Sequence, residues 1–209
     1  MSISMIPGPI LIIPCPICGF KGKKRSLISG NTIGGELWSD GKRIAPMLPE
    51  YPSFVKCRKC GSFFFTKEKD AQDKFSWSDK GKDKWPDVDF FEFPSFTEYF
   101  QALGTDIDEL YIRHMAFKCY NDYIRESREN EITMDMRDLY FDNLKSLLYL
   151  FSDEEPDEIF SLIEINRQLG RFEKCKELLN KIDDNGGGEL KRLFAQEIEK
   201  KNTRLFRLY

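Results

Sequence analysis

Two short segments hold the residues best suited to chemistry: Cys15-Pro-Ile-Cys18-Gly19 and Cys57-Arg-Lys-Cys60-Gly61. A Cys-x-x-Cys pair can present both sulfurs from one tight turn. Two such turns facing each other surround an ion with four thiolates at about 2.3 Å. The glycine after each second cysteine suits a backbone that must turn left-handed, where a Cβ would clash. Pro16 presets φ in the first turn. Cys15, Cys18, Cys57 and Cys60 are therefore the expected metal ligands, with one structural Zn2+ per chain as the favoured ion. Iron held as in rubredoxin uses the same ligands and stays open at this point. Two disulfides fit a reducing cytoplasm poorly, and neither pair lies in the βαβ pattern of a redox dithiol. The 38 residues between the pairs exceed the common spacing of about 15–20, a surplus that an inserted hairpin explains.

Little else in the chain is placed for catalysis. His114 is the single histidine, so a zinc site built from two or three histidines is excluded, and any Ser/His or Cys/His pair would rest on that residue alone. It falls on an apolar helix face, where a hydrogen-bonded core histidine is expected. Cys119 has no cysteine or histidine at ligand spacing and reads as structural. No phosphate-binding loop, nucleophile elbow or recognisable acid pair occurs, so the chain is expected not to be an enzyme.

Charge divides the chain. Residues 1–67 carry ten Lys/Arg against three Asp/Glu, leaving 22 against 32 for residues 68–209. Lys21, Lys23, Lys24 and Arg25 follow the first cysteine pair, and Arg58 and Lys59 lie inside the second. Together they form a candidate nucleic-acid interface, although four thiolates on Zn2+ leave −2 for nearby lysines to offset. Trp38 and Phe63–Phe65 read as core filling, with base stacking as the alternative. The start of the chain has no positive n-region and three prolines, which argues against a signal peptide. No apolar run is long enough to span a membrane, so a cytoplasmic location is expected.

The paired Cys-Pro-x-Cys-Gly-like knuckles, with Gly30-Asn-Thr-Ile-Gly-Gly-Glu-Leu-Trp-Ser-Asp-Gly-Lys-Arg-Ile-Ala-Pro-Met-Leu-Pro between them, resemble a group of uncharacterised bacterial proteins. Those join a rubredoxin-like zinc ribbon to a tetratricopeptide-like helical region. The resemblance covers roughly residues 15–65 well and the helical part loosely. It implies the same four cysteine ligands and a bacterial cytoplasm, and it implies no activity.

The elements that would position these residues can be read around them. Glu36-Leu-Trp-Ser-Asp40-Gly41-Lys-Arg-Ile-Ala looks like a hairpin with an Asp-Gly type I′ turn. Phe63–Phe65 reads as a strand. Residues 68–94 mix charges with Trp77, Trp85 and Phe90-Phe91 and read as a partly ordered connector. Ser95-Phe-Thr-Glu98 is a capping box opening a helix that stops at Gly104. Thr105 is expected to cap the next helix, whose buried face would hold Ile107, Leu110, Tyr111, His114, Phe117, Tyr120 and Ile124. Further helices are expected over Met134–Phe151, Pro156–Gly170, Arg171–Ile182 and from Leu190 onward. Leu162, Gly170, Phe172 and Cys175 match one tetratricopeptide unit.

The expected fold class is α+β. A zinc ribbon with an inserted hairpin (1–67) leads through the connector (68–94) to an all-α, tetratricopeptide-like bundle (95–209). The expected role is a non-enzymatic zinc-binding adaptor that engages a protein or peptide. Nucleic-acid binding and iron-based electron transfer are the alternatives.

Overall fold

The computed structural model describes residues 5–76 and 84–209; the expectation for Trp77 lies outside the described residues. The fold is α+β, with small sheets in the first part of the chain and six helices in the second. The strands are β1 (Ile6–Pro7), β2 (Ile10–Pro14), β3 (Lys21–Lys24), β4 (Leu27–Ser29), β5 (Glu36–Leu37), β6 (Arg43–Ile44), β7 (Phe54–Lys56), β8 (Phe63–Phe65) and β9 (Asp73–Phe75). The helices are α1 (Phe96–Gln101), α2 (Glu109–Arg125), α3 (Met134–Leu150), α4 (Pro156–Gln168), α5 (Phe172–Leu179) and α6 (Asp184–Glu199). Among the described residues no helix is long and apolar enough to cross a membrane.

Two compact units divide the chain, and the division does not follow its order. One comprises residues 1–35 and 44–94; the other comprises 36–43 and 95–209. The boundaries read from the sequence therefore differ in two places. Residues 36–43 belong with the helices, and 68–94 belong with the strands.

In the β unit, β2 lies between β3 and β9, antiparallel to both. Ile10 to Ile13 are consecutively buried, as suits a central strand covered on both faces. Leu11 and Ile13 pack with Val55 and Phe64 around the inner cysteines, Cys15 and Cys57. Residues 89–91 also lie against this sheet. Lys23 and Phe90 form a parallel bridge, with Lys23 N donating to Asp89 O and Phe91 N donating to Lys23 O, both at 2.8 Å. Phe91 lies where a Cβ on Gly22 would sit, with ring atoms 2.4 Å from that position. A Cβ at that position would displace the Phe91 ring.

In the helical unit, Ser95 and Glu98 make the expected capping box, and Gly104 and Gly170 take positive φ after α1 and α4. The cap of α2 is Asp108, whose carboxylate accepts from Leu110 N at 3.1 Å. Thr105 instead donates its hydroxyl to Ala102 O at 2.7 Å, closing the preceding turn. The buried residues of α2 are Ile112, Ala116, Phe117, Tyr120 and Asn121, so the face is rotated from the one expected. Helix α6 starts six residues earlier than its apolar pattern suggests and runs through Gly187 and Gly188. Phe194 and Ile198 anchor it among Ile159, Leu162, Ile163, Cys175, Leu178 and Leu179. Tertiary burial of that kind outweighs the low helix propensity of glycine.

The buried centre of this unit is polar as well as apolar. The hairpin β5–β6 has a three-residue loop in which Gly41 N donates to Trp38 O and Trp38 N donates to Lys42 O, both at 2.9 Å. Gly41 takes φ +77° while Asp40 keeps a negative φ. This is a type I turn closed by a glycine bulge rather than the expected I′ turn. The bulge lets Asp40 turn inward. Its carboxylate meets the Arg125 guanidinium at 2.9 Å, with both side chains 1% exposed or less, and accepts from Asn121 at 3.0 Å. Asn121 accepts the Tyr140 hydroxyl at 3.0 Å, and Tyr140 also bonds Gln168. Gln168 donates to Glu164 at 2.7 Å, Glu164 accepts from Ser39 at 2.8 Å, and Arg167 pairs with Glu164 at 2.7 Å. Arg167 further donates to Asn202 O. Two buried ion pairs, each internally neutral, are thus joined by amides and a phenol, as burial of charge demands.

Candidate metal centre

Each knuckle is built by the same backbone pattern. Cys15 N donates to Phe20 O and Cys57 N to Ser62 O, both at 2.8 Å, while Gly19 N and Gly61 N donate back to Cys15 O and Cys57 O, both at 2.9 Å. Gly19 and Gly61 take φ +70° and +74°, the left-handed turn that their positions suggested. Strand β2 delivers Cys15 and β7 delivers Cys57, so the first cysteine of each pair is buried. Cys18 is half-buried and Cys60 exposed.

The sulfurs of Cys15, Cys18, Cys57 and Cys60 all lie within 4.8 Å of one another. Across the knuckles, Cys15 and Cys60 are 3.7 Å apart and Cys18 and Cys57 are 3.6 Å apart. A tetrahedron with bonds of about 2.3 Å has edges of about 3.8 Å, so the cluster fits a four-coordinate metal ion. It does not fit disulfides, whose sulfurs are about 2.05 Å apart. Protonation follows the same crowding. The Ser62 hydroxyl, then the Ser62 amide, bring Cys60 down to about 6. Cys15 is lowered as well: burial opposes this, but the Ser62 hydroxyl and backbone amides outweigh it. At Cys18 the Phe20 amide favours the thiolate, yet burial and the other three cysteines push it up to about 12. Four adjacent thiolates need a cation among them.

Ser62 is the residue that sequence reasoning missed at this centre. Its hydroxyl lies 2.9 Å from Cys60 Sγ and 3.4 Å from Cys15 Sγ. A serine after a glycine turn carries no signal of that role until both sulfurs are located.

The six basic residues of the candidate nucleic-acid interface are each placed. Lys21 Nζ sits 3.9 Å over the Trp85 ring. Lys23 is buried, its ammonium 5.7 Å from the Phe90 ring that Arg25 also covers at 4.2 Å. Lys24 donates to Thr66 O and Oγ1 at 2.9 Å, and burial lowers its pKa. Arg58 pairs with Asp89 at 2.7 Å and Glu92 at 2.9 Å. Lys59 is exposed. Five of the six are thus engaged within the β unit, four of them by the acidic and aromatic segment 85–92.

His114 stacks on Phe117 and meets Phe151 edge-on. Its buried Nε2 has no hydrogen-bond partner among the described residues, which departs at that nitrogen from the expectation of a hydrogen-bonded core histidine. Burial first, and Lys118 second, bring its pKa down to about 3. Cys119 stays a thiol, pushed up to about 12 by burial and Asp122.

Compared with protein-family models, curated proteins and solved structures, the chain matches none of them.

Proposed function

We propose that the chain is a zinc-stabilised adaptor, with a rubredoxin-like ribbon around the four cysteines and a helical unit that engages a protein or peptide. The cross-knuckle sulfur spacing of 3.6 and 3.7 Å carries the metal half of this reading. Zinc is favoured over iron because the ligands sit in a small unit for which a redox-inert ion supplies folding energy, on the order of 10 kcal/mol in comparable sites. Reduced thiolates suit the cytoplasm. The adaptor half rests on analogy with tetratricopeptide-like hairpins, of which α4 and α5 around Gly170 are the candidate unit. It gains support from α3, where Met134, Phe141 and Tyr149 are 69%, 45% and 90% exposed at spacings that share a helix face. Neutral His114 among phenylalanines supports a non-enzymatic role. Nucleic-acid binding has less support, because Arg58 and the β3 lysines already hold intramolecular partners.

Purification from the native host tests both halves. The chain should carry one zinc and co-purify a protein. The double variant Phe141→Glu/Tyr149→Glu should keep the zinc and lose the partner. A red, iron-containing protein would overturn the zinc assignment, and a partner retained by the variant would overturn the use of α3.

A further inference from the structure

The two knuckles share a backbone pattern, but only the second carries a hydroxyl side chain. Phe20 and Ser62 occupy equivalent places, each accepting from the first cysteine amide of its knuckle at 2.8 Å. Only Ser62 brings a hydroxyl, 2.9 Å from Cys60 Sγ and within 3.4 Å of Cys15 Sγ. Those two sulfurs form one edge of the tetrahedron, 3.7 Å long. A metal-bound thiolate carries no proton, so the hydroxyl must be the donor in that bond. On these grounds we propose that Ser62 is a positioning residue of the metal centre: its hydroxyl donates to Cys60, with Cys15 in bifurcated reach, and draws negative charge from that edge.

The inference rests on the tetrathiolate reading and deepens it. Outer hydrogen bonds orient ligands and set their donor strength. At this centre the effect is one-sided, since Phe20 offers no side-chain donor to the edge formed by Cys18 and Cys57. It also falls on the most exposed ligand, Cys60, to which the Ser62 amide is the other donor. Ser62 thus makes the Cys15–Cys60 edge a weaker donor than the Cys18–Cys57 edge although the knuckle backbones match.

Cobalt(II) added to the full-length chain is the probe, because its thiolate-to-metal charge-transfer bands report sulfur electron density directly. Ser62→Ala should move these bands to lower energy and weaken cobalt binding by about tenfold, the low end of the 10–100-fold range for outer-sphere losses. Ser62→Thr, which keeps the hydroxyl, should restore both. Bands and affinity unchanged in Ser62→Ala, or lost equally in Ser62→Thr, would overturn the role of the hydroxyl. Wild-type chain that binds no cobalt would instead overturn the metal centre itself. Far-UV circular dichroism of each variant separates a folding defect from a tuning effect.

Discussion

At the residue scale, two kinds of polar burial lead to opposite behaviour. His114 is held neutral among Phe117 and Phe151, its pKa lowered from the ordinary 6.5 to about 3, by burial first and Lys118 second. In the unfolded chain this imidazole takes a proton below about 6.5, which the folded chain refuses until about 3. Its contribution to stability is therefore present above pH 6.5 and is lost as pH falls towards 3. Thermal melts at pH 7 and pH 4 should show a smaller acid-induced drop for His114→Phe than for wild type. Equal drops would mean that other groups carry the acid sensitivity. Asp40 and Glu164 differ in having a guanidinium each. Burial raises both carboxyls on balance, with Arg125 and Arg167 opposing it.

At the scale of elements, the hairpin of β5 and β6 matters more to the helices than its position between the knuckles suggests. Asp40→Ala leaves Arg125 buried without its main counter-charge, and breaking such a pair costs about 3–5 kcal/mol. Denaturant titration followed by helical circular dichroism should show that loss. Adding Arg125→Met to it should recover part, because removing both charges leaves nothing uncompensated. A loss under about 1 kcal/mol in the single variant would show that water reaches the pair. This element also shows where sequence reading stops. The Asp-Gly turn announced a hairpin through local chemistry, but its turn type and destination depend on Asn121, Arg125 and Glu164, far along the chain. The knuckles are legible because their chemistry is local, with two residues between the ligands and a glycine after each pair. Glu164 and Arg167 are not, since a Glu and an Arg three positions apart on a helix look like a solvated face. Only the packing around α4 shows them to be core.

For the whole molecule, each unit has its own buried cluster, one around Cys15 and Cys57 and one around Ile163 and Phe194. The first is small and includes two cysteines of the candidate metal centre, Cys15 and Cys57, whereas the second is built from aliphatic and aromatic side chains and Cys175. Metal removal by a strong chelator should therefore loosen the β unit and leave most helical signal in place. Hydrogen exchange would show this as lost protection in β2, β3 and β7 with α2 to α4 unchanged, and Cys57→Ser should reproduce the pattern. Uniform loss of protection across the chain would mean that the ion supports both units.

The assignment of residues 36–43 to the helical unit has a temporal consequence. On the ribosome the chain emerges in order, so Trp38 and Asp40 appear long before the helices that enclose them. Arg125 follows Arg43 by 82 positions and Arg167 by 124. At about 5–20 residues per second, the wait for Arg167 is on the order of 6–25 s. Between the emergence of Cys60 and that of Arg125 the nascent chain can close its four-cysteine turns while Asp40 still lacks its guanidinium partner. Neither unit is a contiguous stretch of messenger RNA. A fragment ending at residue 94 carries a hairpin without its helices, and one beginning at residue 95 carries Arg125 without Asp40. A cut at residue 94 therefore divides the helical unit rather than separating it from the strands.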